Sequence, residues 1–228
     1  MQFTGPNEAL ERAIKADDAA AVRKALVSGA DANARGTHDV TPLLYAVGIG
    51  SRNAAKALIE EGANPNLKDS DGDCAVSLAV QAYARDPQLL LMVMDAGGDP
   101  NAKRPNGKPV MTRFINDHNL DAITYMHSQG ADLNIEVAGQ PMVVNPAITG
   151  DWDVVLHLLK LGASIESPKA REGLVFFAKS PELTPTDSPL YPARVEVYEL
   201  LKSKGLEIAP PMPPDGRTPA PAVRDKPQ

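Results

Sequence analysis

Between residues 41 and 66, TPLLYAVGIGSRNAAKALIEEGANPN, apolar side chains recur at helical spacing in two short blocks. In the first block Leu43, Leu44, Ala46 and Val47 follow Thr41 and Pro42, and the glycines of 48–50 interrupt the pattern. Thr41 is a good N-cap, and Pro42 suits the first helical position, where its missing N–H would have had no partner. In the second block Ala54, Ala55, Leu58 and Ile59 follow Ser51 as the cap. Gly62 closes it, since glycine enters the left-handed conformation without strain. The spacing predicts two helices back to back. Such a pair is too small to bury its own apolar face and needs neighbours.

The neighbours are marked by one ending written repeatedly: GADAN from Gly29, GANPN from Gly62, GGDPN from Gly97, GADLN from Gly130, GASIE from Gly162 and a weaker GLEIA from Gly205. These glycines are 33, 35, 33, 32 and 43 residues apart. A period near 33, two helices per unit and a Thr-Pro-Leu opening resemble the ankyrin-repeat family, over residues 6–208. The full opening stands only at Thr41-Pro42-Leu43, with Leu44 where the family has His. It decays to Cys74-Ala75-Val76, Pro109-Val110-Met111 and Pro141-Met142-Val143. The resemblance implies an all-α solenoid of stacked helix-turn-helix units with short hairpin tips. About six repeats, including degenerate terminal caps, would fall at 6–35, 36–68, 69–103, 104–135, 136–166 and 167–208.

The departures from the period carry their own expectations. In the first repeat Leu10, Ala13 and Ile14 share one face, and Glu8, Glu11, Arg12 and Lys15 take the others. Asp17 and Asp18 are expected to cap its second helix, with Val22, Ala25 and Leu26 inward. Outward charge suits the end of a stack, which has no partner to cover it. The third repeat gains two residues near 83–85, after which Asp86-Pro87 restarts a helix whose run 89–94 is apolar enough to be wholly buried. Asn119 is the expected cap before Leu120, Ile123, Tyr125 and Met126. Asp151 is the expected cap of a helix over 152–161, and Pro146 fits an opening turn. The sixth repeat is too long. Its excess, 180–189, is expected as an extended loop between helices over 175–179 and 193–204. Residues 209–228 hold seven prolines and are expected as a flexible tail.

Composition sharpens this. With 43% hydrophobic but only 4% aromatic residues in 228, the chain suits thin helices stacked closely rather than one large core. A net charge of −6 argues against a general nucleic-acid binder, which carries a basic stripe. One cysteine, Cys74, rules out an internal disulfide. No apolar run nears the ~18 residues of a membrane span; the longest are 89–94 and 174–178. The start, MQFTGPNEAL, lacks the basic and apolar regions of a leader. As written, the chain is expected in the cytoplasm; a leader removed ahead of Met1 would make it periplasmic. It is expected to be monomeric when free.

Catalytic and metal signatures fail on inspection. The run 69–73, DSDGD, opens like a calcium loop, but the sixth and twelfth places hold Cys74 and Val80 where glycine and glutamate are needed. A hairpin tip turning at Gly72 accounts for it better. Cys74 takes the place of the family's helix-starting Thr. His38, His118, His127 and His157 are too scattered for zinc spacing. The run 48–53, GIGSRN, lacks the third glycine of a dinucleotide fingerprint and follows a helix. Asp117-His118 occupies the turn between paired helices. No enzyme and no cofactor are expected.

What remains is surface. In the ankyrin family the hairpin tips and first helices line a concave groove that grips another protein. Carried over by position, the tips supply Arg35, His38, Asp39, Lys68, Asp71, Asp73, Lys103, Arg104, Lys108 and Glu136. The first helices and the insertion supply Ile49, Gln81, Tyr83, Asn116, Asp117 and Thr149. The tips run mixed, acidic, basic, then nearly apolar through Val137 and Ala138. Such variety suits one shaped protein surface better than a polyanion. Trp152 fits either core or an aromatic anchor. The resemblance implies a non-catalytic protein-binding module, with bacterial inhibitors and immunity proteins that occlude their partner as one form. A scaffold, joining a groove-bound partner to one held by 209–228 or 180–189, is the alternative.

Overall fold

The computed structural model describes residues 3–179 and 187–206. These form short α-helices joined by tight turns, with strand pairing limited among the described residues to one two-stranded hairpin and one isolated bridge. The described residues divide into two compact units, 3–117 with 121–131, and 118–120 with those from 132 onward.

The first unit holds four helix pairs: α1 (Asn7–Lys15) with α2 (Ala19–Val27), α3 (Pro42–Ile49) with α4 (Arg52–Glu60), α5 (Ala75–Ala82) with α6 (Pro87–Asp95), and α7 (Thr112–Asn116) with α8 (Leu120–Ser128). First helices pack on first helices, α1 on α3 and α3 on α5, and second on second, α2 on α4 and α4 on α6. Leu10, Ile14, Leu43, Leu44, Leu58, Leu89 and Leu90 are fully buried between them. Each such side chain contributes about 1.5–3 kcal/mol.

Local chemistry sets the helix ends. The Thr41 hydroxyl accepts from the Leu44 N–H at 3.2 Å, and Asp86 Oδ1 accepts from the Gln88 N–H, each just before a proline. Gly62, at φ +86°, closes α4. Ser51 precedes α4, but its side chain makes no cap bond. Asp17 does that instead from the neighbouring repeat. Its Oδ1 accepts from the Ala54 N–H at 2.9 Å and its Oδ2 from the Asn53 amide at 3.0 Å. Only Asp18 caps α2, through the Ala21 N–H. Glu11 is also not on an outer face. It is buried, accepting from the Phe3 N–H at 3.0 Å and pairing with Lys15 Nζ at 2.7 Å. Leu26, Leu91 and Met92 are half-buried, so neither α2 nor the 89–94 run is as enclosed as the sequence suggests.

The recurring ending proves to be a joint. Within each copy a short side chain caps its own turn: Asp31 Oδ1 accepts from the Asn33 N–H, Asn64 Oδ1 from Asn66, Asp99 Oδ1 from Asn101. The asparagine then bridges forward. Asn33 donates to the Gly62 carbonyl at 3.2 Å and accepts from the Asn64 N–H at 2.7 Å. Asn66 does the same with Gly97 (2.9 Å) and Asp99 (2.8 Å), and Asn101 donates to the Gly130 carbonyl. Period and hydrogen bonding are one fact seen twice.

The second unit contains β1 (Glu136–Val137) and β2 (Gln140–Pro141), a 3₁₀ turn at Met142–Val144, then α9 (Asn145–Thr149), α10 (Trp152–Lys160), α11 (Pro168–Lys179) and α12 (Tyr191–Ser203). Positive φ at Ala138 and Gly139 fits the tight hairpin turn. Here α11 packs on α9 and β2, and α10 packs on α12. Helix α11 starts at Pro168, well before the expected 175, because Gly173 does not break it. A Cβ there would stand 2.7 Å from Val144 Cγ1, so the glycine permits close helix approach. Trp152 is fully buried, with the Arg194 guanidinium 5.8 Å from its ring centre, and is core rather than anchor. Asp151 precedes α10 without capping it by its side chain. Of the expected loop, 180–186 lies outside the described residues, as does the whole 209–228 tail.

Candidate binding surface

The tips of the first unit are held by their own backbone. At the second repeat Gly36 donates to the Val40 carbonyl, and His38 and Asp39 take positive φ. The Arg35 guanidinium donates to the Asp39 carbonyl at 3.1 Å and also to that of Lys68. From the next tip, the Ser70 N–H donates to the His38 carbonyl at 2.9 Å and its hydroxyl to Asp39 Oδ2 at 3.2 Å. Arg35, His38, Asp39 and Lys68 are thereby brought together, all exposed.

At the third tip Asp69 Oδ1 accepts from the N–H groups of Asp71 and Asp73, which spends that carboxylate on the turn. Asp73 takes the Ser77 hydroxyl at 2.7 Å, and Asp71 points into solvent. At the fourth, Arg104 and Lys108 pair through an N–H to carbonyl bond, and Lys103 bridges Pro109. Lys103 and Lys108 are exposed. Arg104 is not free: it is half-buried and donates from Nη2 to the Thr112 hydroxyl at 3.1 Å.

Among first-helix positions, Ile49 is 46% exposed and Gln81 and Asn116 are open to solvent. Tyr83 is engaged edge-on with Phe114, ring centres 4.8 Å apart, and Asp117 pairs with Arg113. Between α3 and α5 lies a hollow of ≈ 300 Å³ lined by Gly48, Leu78, Gln81, Ala82, Ala84 and Arg85. Arg85 has no place among the residues carried over from the family. The signal for it was the extra residues at 83–85, which break the period.

In the second unit Glu136 is exposed and pairs with Lys169 Nζ at 2.8 Å, which also reaches the Gly139 carbonyl. Val137 is buried, so this tip is not the apolar one expected. Thr149 is exposed, with its hydroxyl donating to Asp151. His118 lies between Asp151 and Asp153, Nε2 to Oδ1 at 3.2 Å and Nδ1 to Oδ2 at 3.3 Å. Phe176, 65% exposed, and Phe177 border a second hollow of ≈ 390 Å³ with Gln140, Lys169, Glu172 and Gly173. Among the described residues no three His, Cys, Asp or Glu side chains are grouped to hold a metal, and no helix is long and apolar enough to cross a membrane.

Comparison with known proteins places these observations. Residues 10–102 match the family description "Ankyrin repeats (3 copies)". A stretch of 106 residues, 45% of this chain, is 35% identical to 6% of the E3 ubiquitin-protein ligase KEG of Arabidopsis thaliana. A stretch of 162 residues, 69% of this chain, is 23% identical to 17% of the phosphocholine transferase AnkX of Legionella pneumophila. A third, of 116 residues and 49% of this chain, is 29% identical to 24% of the horse (Equus caballus) ankyrin repeat, SAM and basic leucine zipper domain-containing protein 1. The chain spans less than a quarter of the length of each, so the activities those names state belong to proteins it matches only in small part.

Proposed function

This chain is an ankyrin-repeat protein, and on that premise we propose that it works without chemistry of its own, holding another protein against its hairpin tips and first-helix faces. Ankyrin repeats are protein–protein interaction modules. The observation that carries the reading here is the interlocking of the tips. Arg35, Asp39, Ser70 and the carbonyls of His38 and Lys68 hold one another, so charged side chains are presented in a set geometry before any partner arrives. Preorganisation of this kind lowers the entropy lost on binding. The tips also differ in sign, acidic at Asp71 and basic at Lys103 and Lys108, which favours one complementary surface over many.

The finer form of the proposal is an inhibitor of the bacterial immunity type, which acts by covering its partner's working surface. Rigid tips support it, because occlusion needs one tight, pre-shaped contact. A photo-crosslinking residue placed at Lys68 or Lys103 should capture the partner, whereas one placed at Lys24 or Lys56 on the second helices should not. Capture from the second-helix side alone would overturn the reading. One equivalent of the chain should abolish the partner's activity, and deleting 209–228 should leave affinity unchanged. Loss of a partner on that deletion would favour a scaffold.

A further inference from the structure

The geometry points to the hollow between α3 and α5 as a socket for an acidic side chain with an apolar neighbour, carried on an exposed segment of the partner; this rests on the protein-binding reading. The floor is made by absence of side chain: Gly48, Ala82 and Ala84 line it, and Leu78 Cδ1 closes its base 3.4 Å from where a Cβ on Gly48 would stand. At the rim, Arg85 Nη2 passes 3.7 Å from the Cβ position of Gly50, which itself sits at φ +80° and ends α3. The guanidinium thus lies beside the C-terminal end of α3, where the helix dipole is negative.

Charge decides what this socket takes. The carboxylate next in sequence, Asp86, is buried and already committed: Oδ2 accepts from Arg52 Nε at 2.8 Å and Oδ1 from the Gln88 N–H at 3.2 Å. Arg52, Asp86 and Arg85 together carry one surplus positive charge. No carboxylate lines the hollow, and Arg85 makes no ion pair among the described residues. In a chain of net charge −6 this is a local reversal of sign. A guanidinium binds a carboxylate through two parallel N–H bonds, and the apolar floor beside it fits Leu, Ile, Met or Phe. A hollow of ≈ 300 Å³ has room for side chains and not for a folded domain.

A random peptide library displayed on phage and selected on the immobilised full chain tests this, with the enriched peptide then measured by fluorescence anisotropy. Enriched sequences should carry Asp or Glu beside a large apolar residue, and Kd should rise with salt. Arg85→Glu should weaken binding about tenfold or more, and Arg85→Lys should do so less, since lysine lacks the planar fork. Ala84→Trp, at an exposed position, should fill the hollow with a similar loss and an unchanged melting temperature. Lys24→Gln with Lys56→Gln, on the second helices, should leave this peptide's Kd unaltered. Enrichment without carboxylates, no enrichment, preference for a single-stranded oligonucleotide, or full affinity in Arg85→Glu would each overturn the socket. If Lys103→Glu with Lys108→Glu loses the peptide and Arg85→Glu does not, the socket falls while the protein-binding reading stands; if only the second-helix variant loses it, both fall.

Discussion

At Gly62 the backbone turns at φ +86° with nothing within 4 Å of where a Cβ would sit, so its constraint is conformational and not steric. Gly62→Val should therefore cost about 1–3 kcal/mol, and Gly62→Ala rather less, read as the shift in thermal midpoint. An unmoved midpoint in the valine variant would mean the glycine does not terminate α4. Roles of this kind, like the Thr41 cap and Pro42, are legible in sequence because they act within one turn. Glu11 was not legible, since a charged residue between apolar ones reads as exposed until its partners are seen. Burial raises its pKa, but the hydrogen bond from Lys15, the Phe3 N–H and the charge of Lys15 together outweigh that and hold it below the ordinary carboxylate value. A depressed folded-state pKa gives stability that is present above the unfolded value, about 4.3, and is lost as pH falls through the folded one. Glu11→Gln should lower the urea midpoint at neutral pH and flatten its decline in acid. An equally steep decline would place the acid sensitivity elsewhere.

At the scale of elements, the decisive bonds are those between repeats. Asp17 caps α4 although 37 residues separate it from Ala54, which no local pattern announces. Asp17→Ala should destabilise by about 0.5–2 kcal/mol and speed hydrogen exchange at the start of α4, whereas Asp18→Ala should act at α2. Matching exchange patterns in the two variants would contradict that division of labour. Helix α11 runs longer than the sequence suggests for a related reason: Gly173 lies inside it and lets Val144 approach. Gly173→Ala should destabilise by about 1–3 kcal/mol through overpacking, with Val144→Ala in the same chain restoring part of the loss. Additive losses in the double variant would show that the two positions do not meet.

For the molecule as a whole, the period of the glycines made the stacked-pair architecture readable, because one physical requirement is met the same way each time. What the sequence could not show was where local sign reverses. Arg85 becomes notable only once Asp86 is seen bound to Arg52 and Gln88. The two units also give a spectroscopic handle. The only tryptophan, Trp152, is buried in the second unit, so its emission reports that unit alone. Repeat proteins lose cooperativity when one region is weakened. With Gly62→Val in the first unit, unfolding followed by far-UV circular dichroism should begin at lower denaturant than unfolding followed by emission; coincident curves would show one cooperative block.

The asparagine joints have an evolutionary corollary. Because Asn33 and Asn66 grasp the following copy through the same two backbone atoms, each such grip is interchangeable with the next. A duplication or excision of one whole period would leave these asparagine bonds a ready-made partner on both sides, whereas contacts particular to one seam, such as Asp17 with Ala54, would have to be rebuilt.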